Sequence, residues 1–376
     1  MTAVNKALVV GGGFSGMAAA IRMRRAGIDV HLLEQDAAWC PLGAGITVSG
    51  ATLRALESLG LRAAFEAEGY TSSNVEIYTA QGHHIATLPT PPVVGSTVAG
   101  GAGIMRPTLA RIMADATRAA GAQVRLGQRW TDMAQDGQQV HVRFSDGSQD
   151  RFDLVVGADG VHSALRAKYM PEVPAPEYIG QGVWRAVLPR PEGVQRPCMW
   201  LGSHIKVGVN PVSATHMYLF ITEDRPTKEH IDPATWPAVV EGLLRPFTDP
   251  LVQSLIPHVH SPEAAIDYRP LANLLVPAPW NRGRVLLIGD AVAATTPHLA
   301  SGAGIGIESG IVLGEELERH DDLQAALDAF HARRFERCRM VVKNSEQLGL
   351  IEIHDGDKAE HQRIMRESML ALTQPI

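Results

Sequence analysis

Ala7-Leu8-Val9-Val10-Gly11-Gly12-Gly13-Phe14-Ser15-Gly16 joins an apolar run to a G-x-G-x-x-G turn, and Met17 to Ala26, rich in helix formers, follows it. Gly27 stops that helix, and Ile28 to Leu33 returns to a strand that runs into Glu34. A strand, a glycine turn, a helix and a second strand tipped by an acid make the dinucleotide-binding unit of an α/β fold. Gly11 permits the tight turn, Gly13 lets the backbone approach a pyrophosphate, and Gly16 lets helix and strand close up. The free N–H groups of the helix start, at Phe14, Ser15 and Gly16, then face the phosphates, and Glu34 is placed to accept from ribose hydroxyls. The unit does not by itself separate FAD from NAD.

The rest of the chain sets bounds around this unit. Its 376 residues suggest two or three domains, and 45% hydrophobic content is ample for buried cores. A net charge of −6 with both signs interspersed leaves no basic face for nucleic acid and no polybasic membrane patch. Cys40, Cys198 and Cys338 are odd in number and far apart, which argues against a disulfide framework and for a reducing compartment. No signal peptide and no apolar run of about 20 residues is evident, so a cytoplasmic protein is expected. The histidine pairs His83-His84 and His258-Val259-His260 lack a third ligand at useful spacing, and no metal site is expected.

Outward from the first unit, Gly43-Ala44-Gly45-Ile46 is a turn-rich stretch, and Leu53, Leu56 and Leu59 mark one face of a helix over 52–59. Asn74 to Leu88 alternates around Gln81-Gly82 as a hairpin, and Pro89, Pro91 and Pro92 open a loop. A helix begins at Pro107, with Leu109, Ile112, Met113 and Ala116 on one face, and ends near Gly121. Three short strands follow, turned at Asp136-Gly137 and Asp146-Gly147, and the last, Phe152 to Val156, runs into Gly157-Ala158-Asp159-Gly160. Val183 to Leu188, Met199 to Val209 and His216 to Thr222 read as an antiparallel sheet region. A helix is predicted over 233–255 and a long one over 321–348, with Leu323, Leu327 and Phe330 inward. Between them, Gly283-Arg284-Val285-Leu286-Leu287-Ile288-Gly289-Asp290 reads as a further buried parallel strand, so the first domain resumes after an insertion.

Three glycine-acid signatures thus stand at the ends of three predicted strands: Gly11 to Gly16, Asp153 to Ser163 around Asp159-Gly160, and Gly283 to Ala291 around Gly289-Asp290. In this order they resemble the motifs of the single-component FAD-dependent aromatic hydroxylases, the para-hydroxybenzoate hydroxylase-like family. Trp184-Arg185, Pro297, Gly302, Arg333, Arg337 and Ser345 extend the likeness over most of the chain. The resemblance implies an α/β fold: a Rossmann-like FAD-binding domain over 1–72, 98–176 and 280–320, an inserted antiparallel-sheet substrate domain over 73–97 and 177–279, and C-terminal helices over 321–376. It implies non-covalent FAD, with the adenosine at Glu34, the pyrophosphate at the glycine turn, the ribityl chain near Asp290, and Gly45 and Arg106 beside the cofactor. NADH or NADPH would approach near Asp159-Gly160. The flavin ring would lie against Pro297-His298-Leu299-Ala300-Ser301-Gly302-Ala303-Gly304, ahead of a helix whose N-terminus favours negative charge on reduced flavin. The implied reaction is hydroxylation of a small aromatic or N-heteroaromatic ring through a C4a-hydroperoxide.

Several positions depart from the family pattern. Ala293 stands where a histidine is common, Ser301 where glutamine is frequent, and Asn210-Pro211 where Tyr-Pro is frequent. Thr47 stands where some pyridine-ring hydroxylases carry a histidine. A base is expected at His298, in the flavin-facing turn, or at His204 on the inserted sheet. Arg185 is a candidate for a substrate carboxylate, and Trp184, Trp200, Thr47, Asn210 and Pro297 are candidates for the pocket wall. The missing W-x-W-x-I-P signature argues against a halogenase. A non-hydroxylating flavin oxidoreductase or a non-catalytic flavin-binding protein is the alternative, and the partner expected is a small aromatic molecule, with the oligomeric state left open and a homodimer the one assembly considered.

Overall fold

Buried apolar runs lie side by side at the centre of the protein. In the computed structural model, which describes residues 4–40, 43–90, 92–94 and 97–376, strands Val285–Leu287, Leu154–Gly157, Lys6–Val10, Asp29–Glu34 and Gln123–Leu126 pair in parallel in that spatial order. The antiparallel strand Asn281–Arg282 closes the edge beside Val285–Leu287. The first three strands show hardly an exposed residue, because parallel strands covered on both faces need no alternation.

Helix Phe14–Arg25 covers one face of this sheet and packs on the 18-residue helix Gly302–Arg319. Gly306, Gly310 and Gly314 make this packing possible, recurring every four residues along one stripe. A Cβ at Gly310 would sit 2.5 Å from the Ala19 backbone nitrogen, one at Gly314 2.5 Å from Arg22 Cγ, and one at Gly306 would overlap Ser15. Each glycine costs about 1 kcal/mol of helix propensity, and the close approach of the two helices requires them.

The single strand expected over 152–156 is two strands. Gln149–Phe152 closes a three-stranded meander with Trp130–Gln135 and Val140–Phe144, and Leu154–Gly157 then enters the central sheet. Asp153 makes the break, its carboxylate accepting the backbone N–H groups of Asn5 and Lys6 at 2.9 and 3.0 Å. The helix expected over 233–255 also divides, into Trp236–Leu244 and Pro250–Val259. Asp249 caps the second of these, accepting from Leu251 and Val252, with Pro250 at its first position.

The second large sheet has eight strands and spans both segments expected to be inserted. Hairpin Asn74–Thr79 and His84–Pro89 joins Cys198–Leu201, Ile205–Pro211, His216–Asp224, Glu177–Pro189, Asp267–Leu275 and Ala293–Ala294. It is antiparallel except where Cys198–Leu201 runs parallel to Asn74–Thr79. Pro91, expected in the loop after the hairpin, lies outside the described residues. One face of this sheet packs on helices Trp236–Leu244 and Pro250–Val259 through Trp184, Trp200, Leu219 and Val252. The other face meets a separate three-stranded sheet of Gly45–Ser49, Gly101–Met105 and Tyr70–Ser72, with Tyr218, Val187 and Phe220 against Ala44 and Met105. The terminal helices Leu323–Ile353 and Lys358–Thr373 complete the chain. No helix among the described residues is long and apolar enough to cross a membrane.

Candidate active site

The glycine-acid signatures meet because their strands are neighbours in register. Val10 pairs with Gly157 and with Leu33, and Gly157 pairs with Leu287, so Gly11, Glu34, Asp159 and Asp290 all emerge at the carboxyl ends of four adjacent parallel strands. This edge is where open α/β sheets bind ligands. A Cβ on Gly11, whose φ is +105°, would collide with the Ala158 carbonyl, and one on Gly16 would collide with the Gly11 carbonyl. A Cβ at Gly13 or Gly160 would meet nothing within 4 Å, so at both positions the backbone borders open space.

The residues present fit a dinucleotide. Helix Phe14–Arg25 starts at Gly13 with no side-chain cap and no acid in its first turn, which leaves its first N–H groups for an anion. Glu34 Oε2 accepts the Gly12 N–H at 2.7 Å and Oε1 accepts the Asp36 N–H at 2.8 Å, so the acid is fixed at the mouth of the turn with lone pairs to spare. Trp39 Nε1 donates to the Gly12 carbonyl at 2.8 Å and walls the same cavity, together with Phe14 and Arg106. Trp39 and Asp36 carry no motif and were not foreseen. The Arg106 guanidinium lies 5.1 Å from the Phe14 ring centre. Asp159 Oδ2 accepts the Leu165 N–H at 3.1 Å, while its Oδ1 is buried without a partner.

Farther along the cleft, Asp290 is exposed on the turn after Val285–Leu287. The protein walls around it raise its carboxyl above the usual range, and Arg106 opposes that rise. Helix Gly302–Arg319 also begins bare, since Ser301 makes no capping bond and no acid stands in the first turn, with Gly302 and Ala303 half-buried there. Ala300, just ahead of it, holds φ at +47°, a left-handed conformation that costs an L-residue about 1–2 kcal/mol. Its N–H bonds to the Pro297 carbonyl at 2.9 Å.

Strand alternation decides which residues of the eight-stranded sheet face this cleft. Directly paired residues share a face. Arg185 pairs with Phe220 and Asp267, Val187 with Tyr218, Tyr218 with Asn210, and Val183 with Arg269. Asn210 Nδ2 donates to Thr47 Oγ1 at 2.6 Å, and Thr47 in turn hydrogen-bonds Tyr218, which ties this face to strand Gly45–Ser49 of the cofactor body. Thr47, Asn210 and Arg185 are thereby brought together, and Tyr218, Asp267 and Arg269 join them. Alternation in 216–222 and 267–269, read against the Val183–Leu188 strand, is the signal that could have found these three. A Cβ on Gly45 would run into the Tyr218 ring, so this glycine lets strand Gly45–Ser49 pack directly on the second sheet.

Asp267 Oδ2 accepts from Arg269 Nε at 2.9 Å but lies 4.0 Å from Arg185 Nη1, so the Arg185 guanidinium is left largely uncommitted. Burial pulls Arg185 down from the usual guanidinium range, against the opposing pull of Tyr218 and Asp267. Such a cation is suited to hold an anion. Burial likewise raises the Tyr218 phenol, which therefore stays protonated as a donor.

Four expected site residues are placed elsewhere. Trp184 and Trp200 are each 1% exposed and point to the opposite face of the sheet, into the core beneath its helices. Trp184 Nε1 donates to Glu223 at 2.8 Å and Trp200 stacks on Tyr78, so neither lines the cleft. His204 sits before the start of strand Ile205–Pro211, six residues or roughly 20 Å along the strand from Asn210. It is 45% exposed, with Nδ1 2.7 Å from Asp224 and Nε2 3.1 Å from Asp355, an ion-pairing surface group rather than a base. The His298 side chain is 1% exposed, with Nδ1 2.9 Å from Thr296 Oγ1 and Nε2 facing Glu352 at 3.4 Å. Both nitrogens turn into the protein, so His298 offers no surface to a ring proton. Among the described residues no group of three His, Cys, Asp or Glu could hold a metal.

A glycine turn, an acid-tipped strand and bare helix starts gathered at the carboxyl ends of parallel strands belong to a dinucleotide-dependent enzyme. Residues 5–345 match the family model described as FAD binding domain, and the chain belongs to that family, the para-hydroxybenzoate hydroxylase-like flavin monooxygenases. It is 31% identical over 356 residues to the aurachin C monooxygenase/isomerase of Stigmatella aurantiaca, covering 92% of this chain and 88% of that one. It is 29% identical over 344 residues to the FAD-dependent urate hydroxylase of Klebsiella pneumoniae, covering 90% and 88%. The crystal structure of Klebsiella pneumoniae HpxO complexed with FAD and uric acid superposes with a TM-score of 0.85 at 27% identity, covering 98% of this chain and 97% of that one. The protein is an FAD enzyme and a flavin monooxygenase.

Glu34→Ala is accordingly expected to weaken FAD by roughly 10–100-fold, the equivalent of one hydrogen bond to a charged group. Titration of the apoprotein with FAD, followed by flavin fluorescence, checks this, and wild-type affinity would place the adenosine elsewhere.

Proposed function

We propose that this enzyme hydroxylates a small aromatic or N-heteroaromatic ring that carries an anionic or strongly polarised substituent, with NADH or NADPH as electron donor. The uncommitted guanidinium of Arg185, on the same face as Tyr218 and Asn210, is the observation that carries this reading. The overall reaction consumes the ring C–H, O2, NAD(P)H and a proton, and yields the ring C–OH, NAD(P)+ and water. Bound FAD supplies the passage of electrons from NAD(P)H to oxygen and the delivery of one oxygen atom to the ring. Gly11 to Gly16, Glu34, Arg106, Asp159, Gly160, Gly289 and Asp290 would hold it, with Gly302 and Ala303 against its ring.

The chain's own residues orient the substrate. Arg185 fixes the anionic substituent. Asn210 donates to Thr47 Oγ1, so the Thr47 hydroxyl is free to donate to the Tyr218 oxygen. The phenolic proton of Tyr218 is then left for the ring's oxygen or nitrogen acceptor. Water displaced from this face by the ring would strengthen each of these contacts. The urate hydroxylase relative has such a substrate by its name, a polar heteroaromatic ring that ionises readily, and this supports the proposal.

A screen of hydroxylated, carboxylated and N-heterocyclic rings for faster NAD(P)H oxidation, with product mass read alongside, tests it. The expected result is a product heavier by one oxygen atom from an ionisable ring. Stimulation only by neutral, uncharged rings would overturn the assignment of Arg185.

A further inference from the structure

A half-buried acid outside the cleft stands behind the turn that precedes helix Gly302–Arg319. Glu352, near the end of helix Leu323–Ile353, receives groups from three other elements. Lys206 Nζ, on the substrate sheet, approaches its Oε1 at 2.8 Å, His361 Nε2, on the last helix, approaches at 3.1 Å, and His298 Nε2 faces its Oε2 at 3.4 Å. The hydroxylase chemistry assigned above uses none of these contacts.

Glu352 Oε2 lies within ion-pair reach of Nε2 at 3.4 Å, without hydrogen-bond geometry, and a carboxylate in front of that nitrogen favours the His298 proton there. Nδ1 is then the acceptor, and the Thr296 hydroxyl donates to it at 2.9 Å. Thr296, His298 and Glu352 form a line from the buried start of the turn to the terminal helix. The imidazole is wedged from the side as well, because a Cβ on Gly349 would come within 2.9 Å of His298 Cε1. What this brace supports is a strained segment, with Ala300 at φ +47° directly ahead of the uncapped N–H groups at Gly302 and Ala303. A left-handed alanine persists only where its surroundings over-determine it.

We propose that Glu352 is a positioning residue for the flavin site: through His298 it holds the Thr296–Ser301 turn so that the bare helix start at Gly302 and Ala303 meets the flavin ring. The inference rests on that ring lying against this turn. Groups facing His298 are Glu352, Lys206 and His361; burial lowers the imidazole pKa and Glu352 opposes the fall, while Lys206 and His361 reinforce it. His298 is therefore neutral in the working enzyme, as the tautomer argument requires.

Two variants disturb the brace from opposite sides. Glu352→Ala removes the acid, and Gly349→Ala leaves the acid and favours the helix but pushes the imidazole from its groove. Both are expected to weaken FAD by about tenfold or more, to alter the bound flavin spectrum and to raise the share of NAD(P)H oxidation that ends in peroxide. In a His298→Ala background, Glu352→Ala should add nothing further to any of these readouts, because the two act as a unit. Folded Gly349→Ala protein with wild-type FAD affinity, spectrum and coupling would overturn the proposal, and so would fully additive effects of Glu352→Ala and His298→Ala. Ala303→Leu separates the premise from the inference: an unchanged flavin spectrum in that variant would mean that the ring lies elsewhere.

Discussion

Arg185→Met is expected to lower kcat/KM for the ring substrate by roughly 30- to 1000-fold while leaving FAD affinity near wild type. Truncating one partner of a buried charge pair costs about 2–4 kcal/mol, and each 1.4 kcal/mol is a factor of ten. Methionine keeps most of the side-chain bulk, so Phe220 and Tyr218 beside it on the sheet retain a packing partner. The loss should divide unevenly: KM rises if the guanidinium serves binding alone, and kcat falls with it if the anion must be held for the ring to face the flavin. Lysine at this position is expected to recover only part of the loss, since it restores the charge without the planar fork. Steady-state kinetics with coupling measurements read all of this out. An Arg185→Met enzyme of unchanged KM and kcat would assign this arginine to its Asp267 ion pair, a structural role, instead.

The cofactor half of this site was legible in the sequence because its chemistry is made by backbone. Gly11, Gly16 and Gly289 are glycines since a Cβ there would strike Ala158, Gly11 and Ser15 respectively, so local motif and tertiary contact demand the same residue. Glu34, Asp159 and Asp290 follow at fixed distances from strands whose parallel order makes them neighbours. The substrate half was legible only in part, because it depends on register. Trp184 and Arg185 are adjacent in sequence and resemble the family equally, yet one residue of strand alternation sends the indole into the core and the guanidinium into the cleft. His298 was misread for a related reason. Its turn resembles the flavin-facing turn of the family, but an imidazole's direction is set by its partners, and those are Thr296 and a glutamate more than fifty residues away. Likewise the glycine stripe of helix Gly302–Arg319 is visible as spacing, although nothing short of its packing against helix Phe14–Arg25 explains it.

The same helix carries the site of the second large effect. Glu308 is 1% exposed and Arg334 is fully buried, and they meet at 2.9 Å. Arg337 binds both Glu308 oxygens at 2.8 Å, while Arg334 also donates to the Ile305 carbonyl at 3.0 Å and to Ser309 at 3.2 Å. Burial pushes the Glu308 carboxyl up, but the two arginines outweigh it and the net direction is down. Its folded-state pKa thus lies below the unfolded value, so this contribution to stability is present above the unfolded carboxylate range and is lost as pH falls through the folded value. Glu308→Leu leaves the Arg334 charge in the core with no counter-ion, which costs about 3–5 kcal/mol. At roughly 2–4 °C per kcal/mol for a large domain, the melting temperature should drop on the order of 10 °C. The double variant Glu308→Leu/Arg334→Met is expected to recover part of that loss, because apolar groups replace the buried pair while Arg337 keeps its backbone carbonyl partners at Ala371 and Leu372. Thermal unfolding of the three proteins at pH 7 separates the outcomes. Equal destabilisation in the single and double variants would show that helix packing, rather than the stranded charge, sets the cost, and the acid sensitivity of the wild type would then have to come from other carboxylates.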